Sequence, residues 1–319
     1  MKLVTTTADF GMHSEAPSEL VKLYEGTGFR LLDLNLYTSI YSGSPFLDDR
    51  WKKWIDDAGE TAADLDISFC QAHAPDGKLH GSGEEFDVFL GATIRSVEAC
   101  ARLGIPRIVT HQQDIGGYPS REYRHLNLQR NREFFEKLFP VMEKTGVQVL
   151  LENSCDRHAP TMGENTRHFP STAAELLDLA DYIDHPLLQV CWDTGHANVQ
   201  GVDQYRSIME LSGHLRAVHI ADNYGDMDSH VAPFQGTTNM DAVMQGLLDS
   251  GYQGYFTFEA SNILRDGAKW PNYRREWHYR GEKVTRLMDV PLSLRRQAVR
   301  LLYEIGKHIL VEYDCFDEG

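Results

Sequence analysis

Residues 146–153 read Gly146-Val147-Gln148-Val149-Leu150-Leu151-Glu152-Asn153. A glycine stands where a helix ends, an almost unbroken apolar run follows, and the run stops on a carboxylate. Glycine takes the left-handed conformation of a helix C-terminus at low cost. A short run that is apolar through most of its length suits a strand buried on both faces, as in a parallel sheet. The same unit recurs on either side. Gly26, Gly104 and Gly251 precede further runs. The pattern predicts strands over 3–8, 31–36, 67–73, 105–111, 147–152, 187–193, 215–221 and 254–259. Helical periodicity fills the intervals. It is clearest over 84–103, where Phe86, Phe89, Leu90, Ile94, Val97 and Cys100 recur at spacings of three and four. Further helices are expected over 50–64, 126–145, 172–182, 204–212, 240–248 and 292–310. A helix after the first strand is opened by Ser14-Glu15-Ala16-Pro17, with Ser14 or Ser18 as its cap, and closes near Gly26. Eight strand–helix units can close into a (β/α)8 TIM barrel. The rival, a doubly wound open sheet, usually carries a glycine-rich phosphate loop after its first strand. Thr7-Ala8-Asp9-Phe10-Gly11-Met12 has no such spacing, so no nucleotide cofactor is expected.

Bulk composition fits one barrel domain over 1–319. The chain has 319 residues, 42% hydrophobic and 24% charged, as expected of a globular protein with a sizeable core. Its formal net charge is -16, from 47 acidic and 31 basic residues. A protein that grips a phosphate backbone usually presents a basic face, so the balance argues against a nucleic-acid partner. No apolar run is long enough to span a membrane, and no leader-like apolar stretch follows Met1-Lys2. The five cysteines, Cys70, Cys100, Cys155, Cys191 and Cys315, fit neither a disulfide framework nor a CxxC knuckle. They read as reduced thiols of a cytoplasmic protein. One stretch breaks the rhythm. Residues 260–291 form an extended loop after the eighth strand, rich in Arg, Trp and Tyr, including Trp270 and Arg275. A loop this long is often functional. It reads equally as a substrate lid or as an arm that contacts a neighbouring subunit.

The chemistry gathers at the strand ends. His73 and His111 end the third and fourth strands. Glu152, Asp193 and Glu259 end the fifth, sixth and eighth, and His219 lies in the seventh. In a barrel these positions share the C-terminal rim, where active sites lie. Asp193-Thr194-Gly195-His196 and Asp228-Ser229-His230 add to them. Buried carboxylates repel one another unless protonated, paired or held by a cation. Glu152, Asp193, His219 and Glu259 form an O/O/O/N set that suits Mn²⁺ foremost, with Co²⁺, Mg²⁺ or Zn²⁺ as alternatives. In the first two rim loops, Phe10, Met12, His13 and Tyr37 fit a wall around a substrate or loop packing equally well. Trp192 alternates away from Asp193 and is expected in the core.

With these residues in view, the chain resembles the xylose-isomerase-like barrels of the sugar phosphate isomerase/epimerase superfamily. The resemblance is carried by Leu150-Leu151-Glu152-Asn153, Cys191-Trp192-Asp193-Thr194-Gly195-His196 and Ala217-Val218-His219-Ile220-Ala221-Asp222-Asn223. To these it adds His230-Val231-Ala232-Pro233 with Gly236, and Tyr255-Phe256-Thr257-Phe258-Glu259. It extends over residues 1–260 and the final helix. It implies that Glu152, Asp193, His219 and Glu259 bind one divalent metal. It also implies that Glu152 and Glu259 exchange a proton beside the carbonyl of a small sugar or sugar-derived ketone, through a metal-stabilised cis-enediolate. His196 would hydrogen-bond a substrate oxygen. His73, His111, Asp228, His230, Trp270 and Arg275 would line the substrate.

Two departures from the ketose 3-epimerases stand out. His158 occupies the place of their second acidic residue, so it joins the catalytic candidates. The run His219 to Gly225 lacks their arginine. Two other readings therefore stay open. One is a metal-dependent lyase on an oxidised sugar, similar to the C-glycoside deglycosylases or inosose dehydratases. The other is a three-zinc endonuclease IV-like AP endonuclease, whose metal pattern is matched by His73, His111, Glu152, Asp193, His196, His219, Asp228, His230 and Glu259. A homo-oligomer or a small accessory subunit is left open as a partner.

Overall fold

In the computed structural model, residues 1–77, 81–114, 121–155, 157–158, 165–166, 168–264, 277–284, 287 and 289–318 are described, without the side chains at 121, 122, 157, 158, 165 and 166. Eight parallel strands close a barrel in sequence order. They are β1 Leu3–Thr6, β2 Leu31–Asn35, β3 Ser68–His73, β4 Arg107–Val109, β5 Gln148–Glu152, β6 Leu188–Asp193, β7 Leu215–Ile220 and β8 Phe256–Phe258. Each lies inside the stretch expected of it. β1 pairs with both β2 and β8, which closes the ring. Register sets the function. Asp193 pairs with His219, and His219 with Thr257, so the polar strand ends meet on one rim.

The helices form as their sequences direct. α3, Glu84–Leu103, carries Glu84, Glu85 and Asp87 in its first turn, where they complement the helix dipole. It buries Phe89, Thr93, Ser96, Val97 and Cys100 and ends at Gly104, whose φ of 72° is left-handed. Alternate strand residues such as Leu32, Leu34, Ile108, Val149, Leu151, Val190, Val218, Phe256 and Phe258 are fully buried in the main core. Val109, Leu150, Cys191 and Ala217 form a second, separate apolar cluster. These four occupy the other strand parity and fill the barrel interior. Trp192 is fully buried, its indole N–H donating to Gln204 Oε1 at 3.0 Å.

Several local features differ from expectation. The helix over 126–145 is two, α4 Arg121–Phe135 and α5 Phe139–Thr145, joined by a 3₁₀ turn at Glu136–Leu138. Pro140 lies in the first turn of α5; lacking an N–H, it cannot continue a helix from the preceding turn. The helix Pro17–Val21 has Ala16, not Ser14 or Ser18, at its N-cap; Ser14 Oγ instead accepts from the Ala16 N–H at 3.0 Å. Phe10 is fully buried edge-on against Tyr24 and is a core residue. Thr194–Gln200 form a helix, α7, that strand–helix alternation does not anticipate. Residues 157–158 with 165–166, and 278–279 with 282–283, make two small antiparallel hairpins. Residues 265–276 of the long loop, with Trp270 and Tyr273, lie outside the described residues, as do 115–120 of the fourth rim loop. Among the described residues no helix is long and apolar enough to cross a membrane.

Candidate metal centre

The rim brings nine of the singled-out side chains into three adjoining groups. The central one joins Glu152, Asp193, His219 and Glu259, with one ligand atom from each all within 4.8 Å of one another. His219 Nδ1 lies 2.6 Å from Glu152 Oε1 and 3.2 Å from Glu259 Oε2. Asp193 does two things. Its Oδ1 caps α7 by accepting from the His196 N–H at 2.6 Å, while Oδ2 is buried with no hydrogen-bond partner. Buried carboxylate oxygens without a donor are costly. A cation among these four residues would compensate both the orphaned oxygen and the crowded charge, and three oxygens with one imidazole suit a divalent ion. The donor set therefore fits a metal.

The second group is His73, His111 and Glu152. His111 Nε2 approaches Glu152 Oε2 at 2.8 Å, and His73 Nε2 lies 3.7 Å from it. Tyr37 packs edge-on against both imidazoles, so of the four candidate wall residues it is placed in the site. The third group is His196, Asp228 and His230. Asp228 Oδ2 lies 2.6 Å from His230 Nε2 and 3.3 Å from His196 Nε2.

A common device orients three of the imidazoles. His73 Nδ1 lies 2.9 Å from the Ala74 carbonyl, His196 Nδ1 2.7 Å from that of Asn153, and His230 Nδ1 2.9 Å from that of Glu259. A carbonyl can only accept, so each Nδ1 carries a proton and each Nε2 is turned inward, towards the carboxylate of Glu152 or Asp228. Such backing fixes tautomer and ring orientation at metal sites. His219 is reversed. Its Nδ1 faces the carboxylates, while Nε2 lies 3.1 Å from Gln71 Nε2 and 4.0 Å from Asp33 Oδ2. His230 adopts φ 46°, a conformation that L-residues hold only when the surroundings impose it. The surroundings are the Asp222–Val231 bridge and the Asn262 N–H donating to His230 O. Asp222 also accepts from the Gly236 and Thr238 N–H groups at 2.9 Å. A Cβ at Gly236 would collide with the Asn223 backbone.

Charge in the centre is strongly redistributed. Burial pushes Asp193 up to about 7; His196 opposes this, and Glu152, Glu259 and Asp228 add to it. Burial would also raise Glu152, but His219, His111 and His73 hold it well below the ordinary carboxylate range. Glu259 is held at about 2 against burial by His219 and His230. Burial alone would lower His219, yet Cys191, Glu152 and Glu259 raise it well above its usual value. Without a metal the proton on His219 serves as the cation of the cluster, and a bound ion would displace it.

Sequence reasoning missed the supports. Asp33 and Gln71, buried on β2 and β3, stand behind His219, with Gln71 Nε2 donating to Asp33 Oδ2 at 2.8 Å. Asn153 bridges the main chain of Asp193 at both N–H and carbonyl. Gln112 does the same for Glu152. A lone aspartate within the apolar run Leu31-Leu32-Asp33-Leu34 was the available signal. The side chain of His158, and all of Trp270 and Arg275, lie outside the described residues.

Residues 22–276 match the sequence model of the xylose isomerase-like TIM barrel. An uncharacterized protein of Sinorhizobium fredii is 27% identical over 166 residues, 51% of this chain and 50% of its own length. The chain spans about half the length of the curated relatives it matches. Among solved structures, 3-keto-D-glucoside 4-epimerase YcjR from E. coli superposes with a TM-score of 0.65 at 18% identity, over 95% of this chain and 99% of that one. An IOLI protein with a bound zinc atom superposes with a TM-score of 0.68 at 16% identity, over 98% and 99%. At these identities the likeness establishes the fold.

Proposed function

Because the chain belongs to the xylose isomerase-like TIM barrel family, we propose that it is a divalent-metal-dependent isomerase or epimerase of a small keto or aldo sugar. The observation that supports this reading is the convergence of Glu152, Asp193, His219 Nδ1 and Glu259, with Asp193 Oδ2 unpartnered. Glu152, Asp193, His219 and Glu259 would hold the ion, manganese foremost, which supplies Lewis-acid stabilisation of negative charge on the substrate's carbonyl oxygen. The protein residues do the rest. Glu152 and Glu259 work as a pair: the one that is ionised takes the proton beside the carbonyl, and the other, carrying a proton drawn from solvent, returns one to that carbon. His196, locked by the Asn153 carbonyl, presents Nε2 to a substrate hydroxyl, and Tyr37 walls the side near His73 and His111. His158, Trp270 and Arg275 belong to the same proposal. YcjR is named for a reaction on a keto-glucoside, which supports a sugar ketone as substrate class. Residues 1–319 are read as one barrel unit with 260–291 as its rim loop. The five free cysteines support a reducing, cytoplasmic setting. The test is solvent exchange. In D₂O with added Mn²⁺, the protein should carry deuterium into the carbon beside the carbonyl of a keto-hexose or 3-keto-glucoside. No exchange with any such ketone would defeat the reading. Release of a β-substituent along with exchange would convert it to the lyase form.

A second reading has its own support. His73, His111 and Glu152, and His196, Asp228 and His230, close into groups as compact as the central one, and Glu152 belongs to two of the three. That layout suits a three-ion centre acting on a phosphodiester. About three tightly held ions per chain, with cleavage of a duplex at an abasic site, would put this reading in place of the first.

A further inference from the structure

The opposite mouth of the barrel carries a second site of contrary charge. A cavity of about 280 Å³ opens there, lined in part by Arg107, Ser212, Arg216, Ser250, Tyr252 and Gln253. Arg107 begins β4 and reaches across the barrel floor, its Nη1 donating to the Arg216 carbonyl. Its Nε–H is shielded from solvent and has no partner on the protein. Arg216 turns back on its own loop, donating to the carbonyls of Leu215 at 3.0 Å and Gly213 at 3.1 Å. Among the described residues these two guanidiniums make hydrogen bonds to carbonyls and no ion pair with a carboxylate. The cavity wall is fixed. Tyr252 donates to the Tyr255 carbonyl at 3.0 Å, and its ring fills the space that any Cβ at Gly254 would need.

Two neighbouring cations without counter-charge, one with an orphaned and desolvated N–H, are costly in any protein. They are more telling in a chain of net charge -16, where carboxylates are plentiful and none of the described ones is used. Guanidinium donors match oxyanions in geometry and charge, and the cavity is at the small end of ligand pockets. We propose that the N-terminal mouth of the barrel binds a compact oxyanion, a phosphate group, between Arg107 and Arg216. The apolar plug of Val109, Leu150, Cys191 and Ala217 separates this pocket from the carboxylates of the other mouth, so the proposal stands apart from the reaction assigned there.

Inorganic phosphate is the probe. Calorimetric titration of the full chain should show saturable binding that persists in Glu152→Gln and weakens about tenfold or more in Arg216→Gln, the loss expected for one charge-assisted hydrogen bond. In the unsubstituted chain phosphate should also protect Arg107 and Arg216 from phenylglyoxal, read by mass spectrometry, which holds even where the variant fails to fold. Glycerol 3-phosphate as a second titrant separates the sources. Tighter binding than phosphate identifies an ester as occupant, weaker binding the free ion, and either keeps the pocket. Absence of saturable binding overturns the proposal. So does unchanged affinity in Arg216→Gln, or equal modification of the two arginines with and without phosphate. Loss of binding in Glu152→Gln alone places the anion at the metal mouth and overturns it as well.

Discussion

The two mouths of this barrel are built from the same strands and have opposite chemistry. At the C-terminal mouth, carboxylates and imidazoles of β5, β6 and β7 crowd together with Glu259. At the N-terminal mouth, Arg107 and Arg216 make no ion pair with a carboxylate among the described residues. Between them lies a single apolar cluster, Val109, Leu150, Cys191 and Ala217. Side chains on a strand alternate in and out, so inward positions come every second residue. β5 contributes Leu150 to the plug and Glu152 to the rim, and β6 contributes Cys191 and then Asp193. Each strand can therefore change chemistry within one inward step. The rim pays for its charge in folding energy and the plug returns some of it, so the two should answer differently to substitution.

The largest effect is expected at the rim. In the proposed reaction Glu152→Gln would remove a proton acceptor and a shared ligand while keeping shape. Solvent exchange into the ketone should fall by roughly 10²–10⁴-fold with the far-ultraviolet circular dichroism unchanged. Activity near that of the parent protein would remove Glu152 from the reaction.

Next comes the plug. Leu150 is fully buried, so Leu150→Ala should cost about 2–5 kcal/mol in denaturant unfolding, the sum of lost burial and a residual cavity. A loss below about 1 kcal/mol would mean that the interior is not packed as described.

A smaller and signed effect tests the crowding of charge. Burial raises Asp193 to about 7, above the value of about 3.9 for an unfolded aspartate. A carboxyl raised on folding is protonated in the native state at low pH at little cost. It opposes folding increasingly as pH rises through the interval from about 4 to 7. Asparagine can still cap α7 and carries no charge. In chelator-treated protein Asp193→Asn should therefore gain stability over the parent at pH 7 and lose most of that gain at pH 4. The reverse order would show that the cluster does not strain the metal-free fold. With metal present the parent should become the more stable of the two, since the ion stabilises the state that binds it.

Much of this was legible in the sequence because barrels announce themselves by repetition. The run from Gly146 to Glu152 states its strand, its boundary and its acidic end within seven residues. Each of the eight strands falls within its expected stretch, and Glu152, Asp193, His219 and Glu259 meet as their strand-end positions imply. What escaped depends on contacts distant in sequence. Arg107 reads as an ordinary strand residue until β7 brings the Arg216 carbonyl to it. Asp33 and Gln71 gain meaning only beneath His219. The helix α7 hides because Asp193 both ends a strand and caps a helix, leaving no loop to mark the change.

The decisive measurement is anomalous diffraction from crystals grown with ample manganese. A peak bounded by Glu152, Asp193, His219 and Glu259 is expected, with further peaks beside His73 or His230 counting toward the three-ion reading. A map with no peak among those four residues, their side chains splayed apart or joined through water alone, would contradict the metal centre and the chemistry built upon it.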